Sequence, residues 1–389
     1  MNFSSLACAF LLTASAAAGD FSVQRFAVDP AQACAGAVSV QHADLIYSGQ
    51  LWPVGGGDLA KQQSGLWKQA TDLLKSIGLA PRDIVKLNLY VADEHDAAAM
   101  VPALRELFGP DSLPAVSWVT TALPHAEARL GLDFIAARAA SDEPFPASTS
   151  GQANLAIIRA AATSRVFISG QAEKGDGSVA DAARQTMASL FRTLSFVDLK
   201  PADVVQVKAF ISPMSQSAEA LTAIRAAFTP AACPPLVLVE WESPSLPVEI
   251  ELVASGAGPT PKSGQSVRFL TPPGLKSSPV FSRVARVHSP TIIFLSGIYG
   301  TQPDPDSEAE LRELFARTKT LAETAGSDLR HLVKATYYVS SAGSSQQHNK
   351  LRPEYYDPAR PPAASKAIVK GVGKAGRTIT WDMIAVPNE

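Results

Sequence analysis

Three stretches of this chain repeat one phrase. Ile46-Tyr47-Ser48-Gly49-Gln50, Ile168-Ser169-Gly170-Gln171 and Phe294-Leu295-Ser296-Gly297-Ile298 each close an apolar run with Ser-Gly. The serines recur at intervals of roughly 120–130 residues, a period that marks repeated folding units. Well downstream of each comes an Asp followed by a hydrophobic pair and usually a Lys. These phrases are Asp83-Ile84-Val85-Lys86, Asp203-Val204-Val205-Gln206, and Asp328 leading to Leu332-Val333-Lys334. Each runs into a β-rich segment. Each unit then ends alike, on Asp133-Phe134-Ile135-Ala136, Glu251-Leu252-Val253-Ala254 and Asp382-Met383-Ile384-Ala385. Three signals in one order, three times over, define a tandem triplicate: residues 19–140, 141–256 and 257–389.

The 46% hydrophobic content is ample for packed cores. A net charge of −2 without a Lys/Arg cluster gives nucleic acid binding no electrostatic support. No apolar run reaches the roughly 18 residues of a membrane span. Leu6–Ala18 is apolar and small and ends in Ala-rich sequence before Gly19, so residues 1–18 read as a secretory signal directing the chain to the periplasm or beyond. Its first five residues, however, lack Lys and Arg. Cys34 and Cys233 then remain, in different units, and read as free thiols.

Within a unit, a strand ends at Ser-Gly and a helix of near-3.6 periodicity follows, as at Leu66, Ala70, Leu73, Leu74 and Ile77. Gly78 and Gly326 stand where such helices stop. The Asp-led strand is followed by a second helix (98–108 and 218–228), a Pro-flanked strand and the closing strand. The pattern is two strands, helix, strand, helix, two strands: an α+β layer whose sheet keeps one face for another partner. The Pro/Ser/Gly-rich stretches Ser141–Gln152 and Ser255–Gly274 read as linkers.

In this order the motifs resemble the RidA/YjgF family, also called L-PSP endoribonucleases. The carriers are Ser-Gly-Gln at a strand end, the Asp-hydrophobic-hydrophobic-Lys phrase, the closing Glu249-Ile250-Glu251-Leu252-Val253-Ala254, and the lead-in Thr271-Pro272-Pro273-Gly274-Leu275. The resemblance implies chorismate-mutase-like units, normally three to a trimer, with sheets facing inward, helices outward and ligand clefts between units. One copy of this chain would be a monomer acting as a pseudo-trimer, its small-molecule ligand held in the inter-repeat clefts. Covalent linkage would let the three clefts diverge.

The family chemistry implied is hydrolysis of enamines and imines. An arginine in a Pro-Ala-Arg-Ser-like phrase clamps the substrate carboxylate, and the first Glu of Glu-Ile-Glu acts on water. Here Val116, Leu236 and Ala364 occupy the arginine position, and Gly131, Glu249 and Thr380 the carboxylate position. Glu249 is therefore the one candidate catalytic base. Ser48, Gly49, Ser169 and Gly170 are candidate substrate contacts by resemblance. Arg129, two residues from Gly131 on one strand face, is the candidate replacement cation. The aromatic residues of the third unit suggest an apolar or aromatic ligand. The histidines lack metal-ligand spacing, so neither metal nor cofactor is expected. Two readings stay open: a deaminase-like hydrolase with a degenerate site, or a non-catalytic small-molecule binding protein. RNA cleavage, suggested by the older family label, sits poorly with the acidic balance and export.

Overall fold

The computed structural model describes residues 20–53, 55–141, 143, 145, 156–162, 164–243, 245–256 and 265–388. The signal-peptide reading of residues 1–18 and most of the first linker lie outside them.

The first unit runs β1 (Ser22–Asp29), β2 (Cys34–Gln41), β3 (Ala43–Ser48), α1 (Leu59–Lys75), β4 (Ile84–Val91), α2 (Glu94–Phe108), β5 (Ala115–Thr120) and β6 (Leu130–Ala139). The second runs β7 (Ile157–Ala160), β8 (Arg165–Gln171), α3 (Val179–Phe196), β9 (Val204–Ile211), α4 (Ser217–Phe228), β10 (Leu236–Glu240) and β11 (Val248–Ser255). The third runs β12 (Val267–Leu270), β13 (Val284–Val287), β14 (Thr291–Leu295), α5 (Glu308–Thr324), β15 (Leu332–Val339), α6 (Ala342–Tyr355), β16 (Ala363–Ile368) and β17 (Ile379–Ala385). The expected strand–helix alternation holds, with an additional lead-in strand in the first and third units. One expectation needs correction. Part of the Ser255–Gly274 stretch is not linker, because Val267-Arg268-Phe269-Leu270 forms β12 and pairs antiparallel with β13.

Local chemistry sets the helix ends. Asp58, Ser178 and Ser307 each accept a backbone N–H three residues on, capping α1, α3 and α5. Gly78 and Gly326 follow α1 and α5 with φ of 76° and 80°, a left-handed conformation glycine adopts without strain.

Two sheets carry the strands, in the orders β16-β15-β17-β14-β2-β5-β4-β6-β3-β7, with β1 on β2, and β10-β9-β11-β8-β13-β12. Each unit lends a lead-in strand to the unit before it: β7 pairs with β3, β13 with β8, and β2 with β14. The last of these joins the third unit back to the first and closes a cycle. Outer apolar clusters pack helices on their own sheet, as Leu66 and Leu104 on Leu87, Met187 and Ile224 on Val207, and Leu314 and Leu351 on Ala335. A further cluster joins the inward-facing strands of all three units through Val85, Val205 and Val333 with Ile135, Val253 and Ile384. Sheets face inward and helices outward around a pseudo-threefold axis. Among the described residues no helix is long and apolar enough to cross a membrane.

Candidate functional site

Three clefts lie where the Ser-Gly end of one unit meets the Pro-flanked strand of the next. Two are built alike. Ser169 Oγ accepts the Ala364 N–H at 2.7 Å and donates to the Ser282 carbonyl at 2.5 Å. Ser296 Oγ accepts the Val116 N–H at 2.7 Å and donates to the Ala35 carbonyl at 2.6 Å. These hydroxyls are spent on joining units, which fixes the cleft walls.

The cleft between the first and second units departs from this plan. Ser48 is fully buried and its Oγ accepts the Phe134 N–H of its own unit at 2.8 Å. The ladder explains why. Tyr47 faces Ile135, whereas Ile168 faces Leu252, so the first unit's Ser-Gly sits one residue out of step. A one-residue slip turns side chains to the other face. Gly49 and Gln50 fill the space instead. Gln50 donates to the Leu238 carbonyl at 3.1 Å and accepts the Leu238 N–H at 3.0 Å, lying along the β10 edge like an added strand residue.

Between the second and third units lies Glu249. Between Leu252 and Ile250 the partner strand carries an extra residue, Ser169-Gly170 against Glu251, a β-bulge that re-aims the backbone. The absence of a side chain at Gly170 lets the carboxyl lie there, because a Cβ would sit 2.0 Å from Glu249 Oε1 in this position. Glu249 and Glu251 share one strand face. Burial, then the Glu251 charge, push the Glu249 carboxyl up to about 7, while Ser365 and Lys366 pull the other way. Ser365 Oγ has one proton and donates it to Glu251 at 2.7 Å. Lys366 stands two residues beyond Ala364, on the same face of β16. Its Nζ donates to Ser345 Oγ and Asn349 Oδ1 of α6, both at 3.0 Å.

The cleft between the third and first units opens into a cavity of about 910 Å³. Val116 and Trp118 of β5 line it together with Ile298 and Tyr299, Ala98 of α2 and Leu321 of α5. Thr380 stands at the carboxylate position, 3.1 Å from where a Cβ on Gly297 would lie, and its hydroxyl donates to the Ile298 carbonyl at 3.0 Å.

The profile of the family described as Endoribonuclease L-PSP matches residues 14–138 and 153–255, more than half of the chain. The chain belongs to the L-PSP family. No curated protein matches it. Among solved structures, a YjgF-family protein of Neisseria meningitidis is 21% identical over 31% of this chain and 98% of its own, with a TM-score of 0.24. A Rid-family protein of unknown function, YyfA of Yersinia pestis, is 24% identical over 24% and 79%, with a TM-score of 0.22. Yeast Mmf1 is 18% identical over 30% and 98%, with a TM-score of 0.23.

Set beside the L-PSP family pattern, the sequence candidates divide. The structure brings Glu249, Ser169 and Gly170 into one cleft. It places Ser48 in the first unit's interior and Gly49 against Leu236. Arg129 is held by Asp96 of α2 through two hydrogen bonds of 3.0 and 2.5 Å, within its own unit. Of the third unit's aromatic residues only Tyr299 lines the cavity. Tyr337, Tyr356 and Trp381 pack between sheet and helices. Sequence reasoning missed Lys366, although counting by two along the strand from Ala364 reaches it.

The Lys of the repeated Asp-led phrase also finds its role. Lys86 Nζ lies 2.9 Å from Asp382 and Lys334 Nζ 2.8 Å from Glu251, each pair bridging two units. Together with Lys208 and Asp133, three lysines and three carboxylates are buried about the axis. Burial opposes the charge of Asp382, yet Lys86, Lys208 and Lys334 hold its carboxyl below the usual range. The second unit has Gln206 where the others have Lys, and Gln206 reaches the Ser48 carbonyl at 3.5 Å.

Proposed function

We propose that this L-PSP-family chain is a deaminase-like hydrolase of enamines and imines, with its working site in the cleft between the second and third units. The observation that supports this reading is Glu249, a carboxyl pressed on Gly170 and poised to titrate at about 7, with the Lys366 charge acting on it. A general base is most useful when its pKa lies near working pH. Ionised Glu249 takes a proton from water as the oxygen adds to the C=N carbon and the nitrogen is protonated. The C–N bond of the resulting carbinolamine then breaks, releasing ammonia and leaving a carbonyl. An enamine enters this route after protonation at carbon.

Ala364 supplies no clamp, so the substrate class is one that dispenses with the arginine. Lys366 is a point charge without the bidentate fork of a guanidinium and would hold a single polar substituent. The experiment is ammonia release from enamines and imines generated in situ, with and without a carboxylate. Glu249→Gln should lower the accelerated rate by ~100-fold or more, and Lys366→Met should raise KM more than it lowers kcat. No acceleration over buffer across the panel would leave small-molecule binding as the function. Export to the periplasm or beyond, on the strength of Leu6–Ala18, is part of the proposal. An N-terminus still at Met1 in protein recovered from the native host would refute it.

A further inference from the structure

The cavity between the third and first units is separate from the Glu249 cleft. All three polar groups that would make it a site for a carboxylate are replaced. Val116 stands for the arginine, Thr380 for the glutamate and Ile298 for the glutamine after Ser-Gly. What remains is a mostly apolar chamber, with the rings of Trp118, Tyr299 and His95 in its lining and a volume of about 910 Å³. Small-molecule sites commonly span ~300–1,000 Å³.

The charges around it are already engaged or balanced. The Lys374 ammonium lies 5.0 Å over the Tyr299 ring. Arg317 is 3.5 Å from Glu313 on its own helix, and the Tyr299 hydroxyl donates to the Val372 carbonyl at 2.6 Å. Asp29 and Glu94 supply the negative side. Burial and the Asp29 charge push the Cys34 thiol up to about 11, which leaves it a neutral lining group. A Cβ on Gly36 would lie 2.9 Å from Leu321 and 3.0 Å from Ala27, so glycine lets β1 and α5 close over the chamber.

We infer that this cavity is a second, non-catalytic binding site for an uncharged, ring-bearing hydrophobic small molecule. A ligand carboxylate would lose water there and would have to draw Lys374 from the Tyr299 ring or Arg317 from Glu313, whereas an apolar ring gains burial and contact with Trp118 and Tyr299.

The test is a fluorescence titration of the full chain with the uncharged probe N-phenyl-1-naphthylamine, competed by 1-naphthamide and by 1-naphthoate. The expected result is saturable binding with one probe per chain, displaced by the amide at a tenfold or lower concentration than the carboxylate. Ala98→Trp, at an exposed helix position on the cavity wall, should weaken the probe at least tenfold with an unchanged circular dichroism spectrum. Val116→Arg should narrow or reverse the preference for the amide. Glu249→Gln should leave probe binding unchanged, which separates this site from the hydrolytic one. Unsaturable uptake, indifference of the folded Ala98→Trp variant, equal competition by the carboxylate, or loss of binding in Glu249→Gln would each overturn the inference.

Discussion

Glu249 owes its character to what surrounds one carboxyl group. Glu251 lies two residues on along the same face, and the Ser365 proton goes to Glu251. With its folded pKa raised to about 7 from an ordinary 4.5, Glu249 binds its proton more tightly in the folded chain than in the unfolded one. Its contribution to stability is therefore fully present below about pH 4.5 and is lost as pH rises through about 7. Glu249→Gln should remove that loss. Thermal melts should show the variant level with the parent near pH 5 and more stable near pH 8, by about 1–2 kcal/mol once partial exposure is allowed for. A variant equally displaced at both pH values would mean that the carboxyl titrates normally. The sequence pointed to Glu249 because the Glu-Ile-Glu phrase survives there. Ser48 misled because a motif fixes residue order, while the position of the bulge fixes which face a side chain takes.

The Ser-Gly phrase shows how one element serves three ends. In the second unit it seats a carboxylate, in the third it borders an apolar chamber, and in the first it slips by a residue and is closed by Gln50. These differences turn on the atoms facing each glycine. At Gly170 a Cβ would strike the Glu249 carboxylate at 2.0 Å, whereas at Gly49 the nearest atom, the Leu236 nitrogen, lies 3.6 Å away. Gly170→Ala should expel the carboxylate from its seat and reduce ammonia release at least tenfold. Gly49→Ala should fold and melt within about 1 kcal/mol of the parent. Equal tolerance at both positions would show that Glu249 swings clear without consequence. Helices were the legible elements, since 3.6-residue periodicity and Gly stops act locally. The β12 strand was hidden by the Pro/Ser/Gly-rich sequence around Val267–Leu270, and only pairing with β13 makes it a strand.

At the scale of the whole molecule, triplication was readable from recurring phrases, but the specialisation of each cleft was not. Each cleft draws its two walls from segments far apart in sequence, so Thr380 had to be placed beside Val116, and Glu249 beside Ala364 and Lys366, before their chemistry could be compared. The same closure governs stability. The inner apolar cluster draws on the sheets of all three units, so no unit can open without exposing the others' inner face, and unfolding should be a single transition. The first and third units, not consecutive in the chain, are tied by the β2–β14 ladder and by Lys86–Asp382 at 2.9 Å. Lys86 also donates to Ser117 Oγ at 2.7 Å and to the Leu295 carbonyl at 2.8 Å. Lys86→Met leaves two buried acceptors and one carboxylate short of a donor, and should cost about 3–5 kcal/mol. Removing both charges with Lys86→Met and Asp382→Leu keeps the buried cluster neutral and should recover most of that loss. Urea melts followed by tryptophan fluorescence and by circular dichroism should coincide for the parent and both variants. A split transition in Lys86→Met, with the second unit's helices persisting after the first and third have separated, would show that the units fold independently and that the shared core is not what holds the three together.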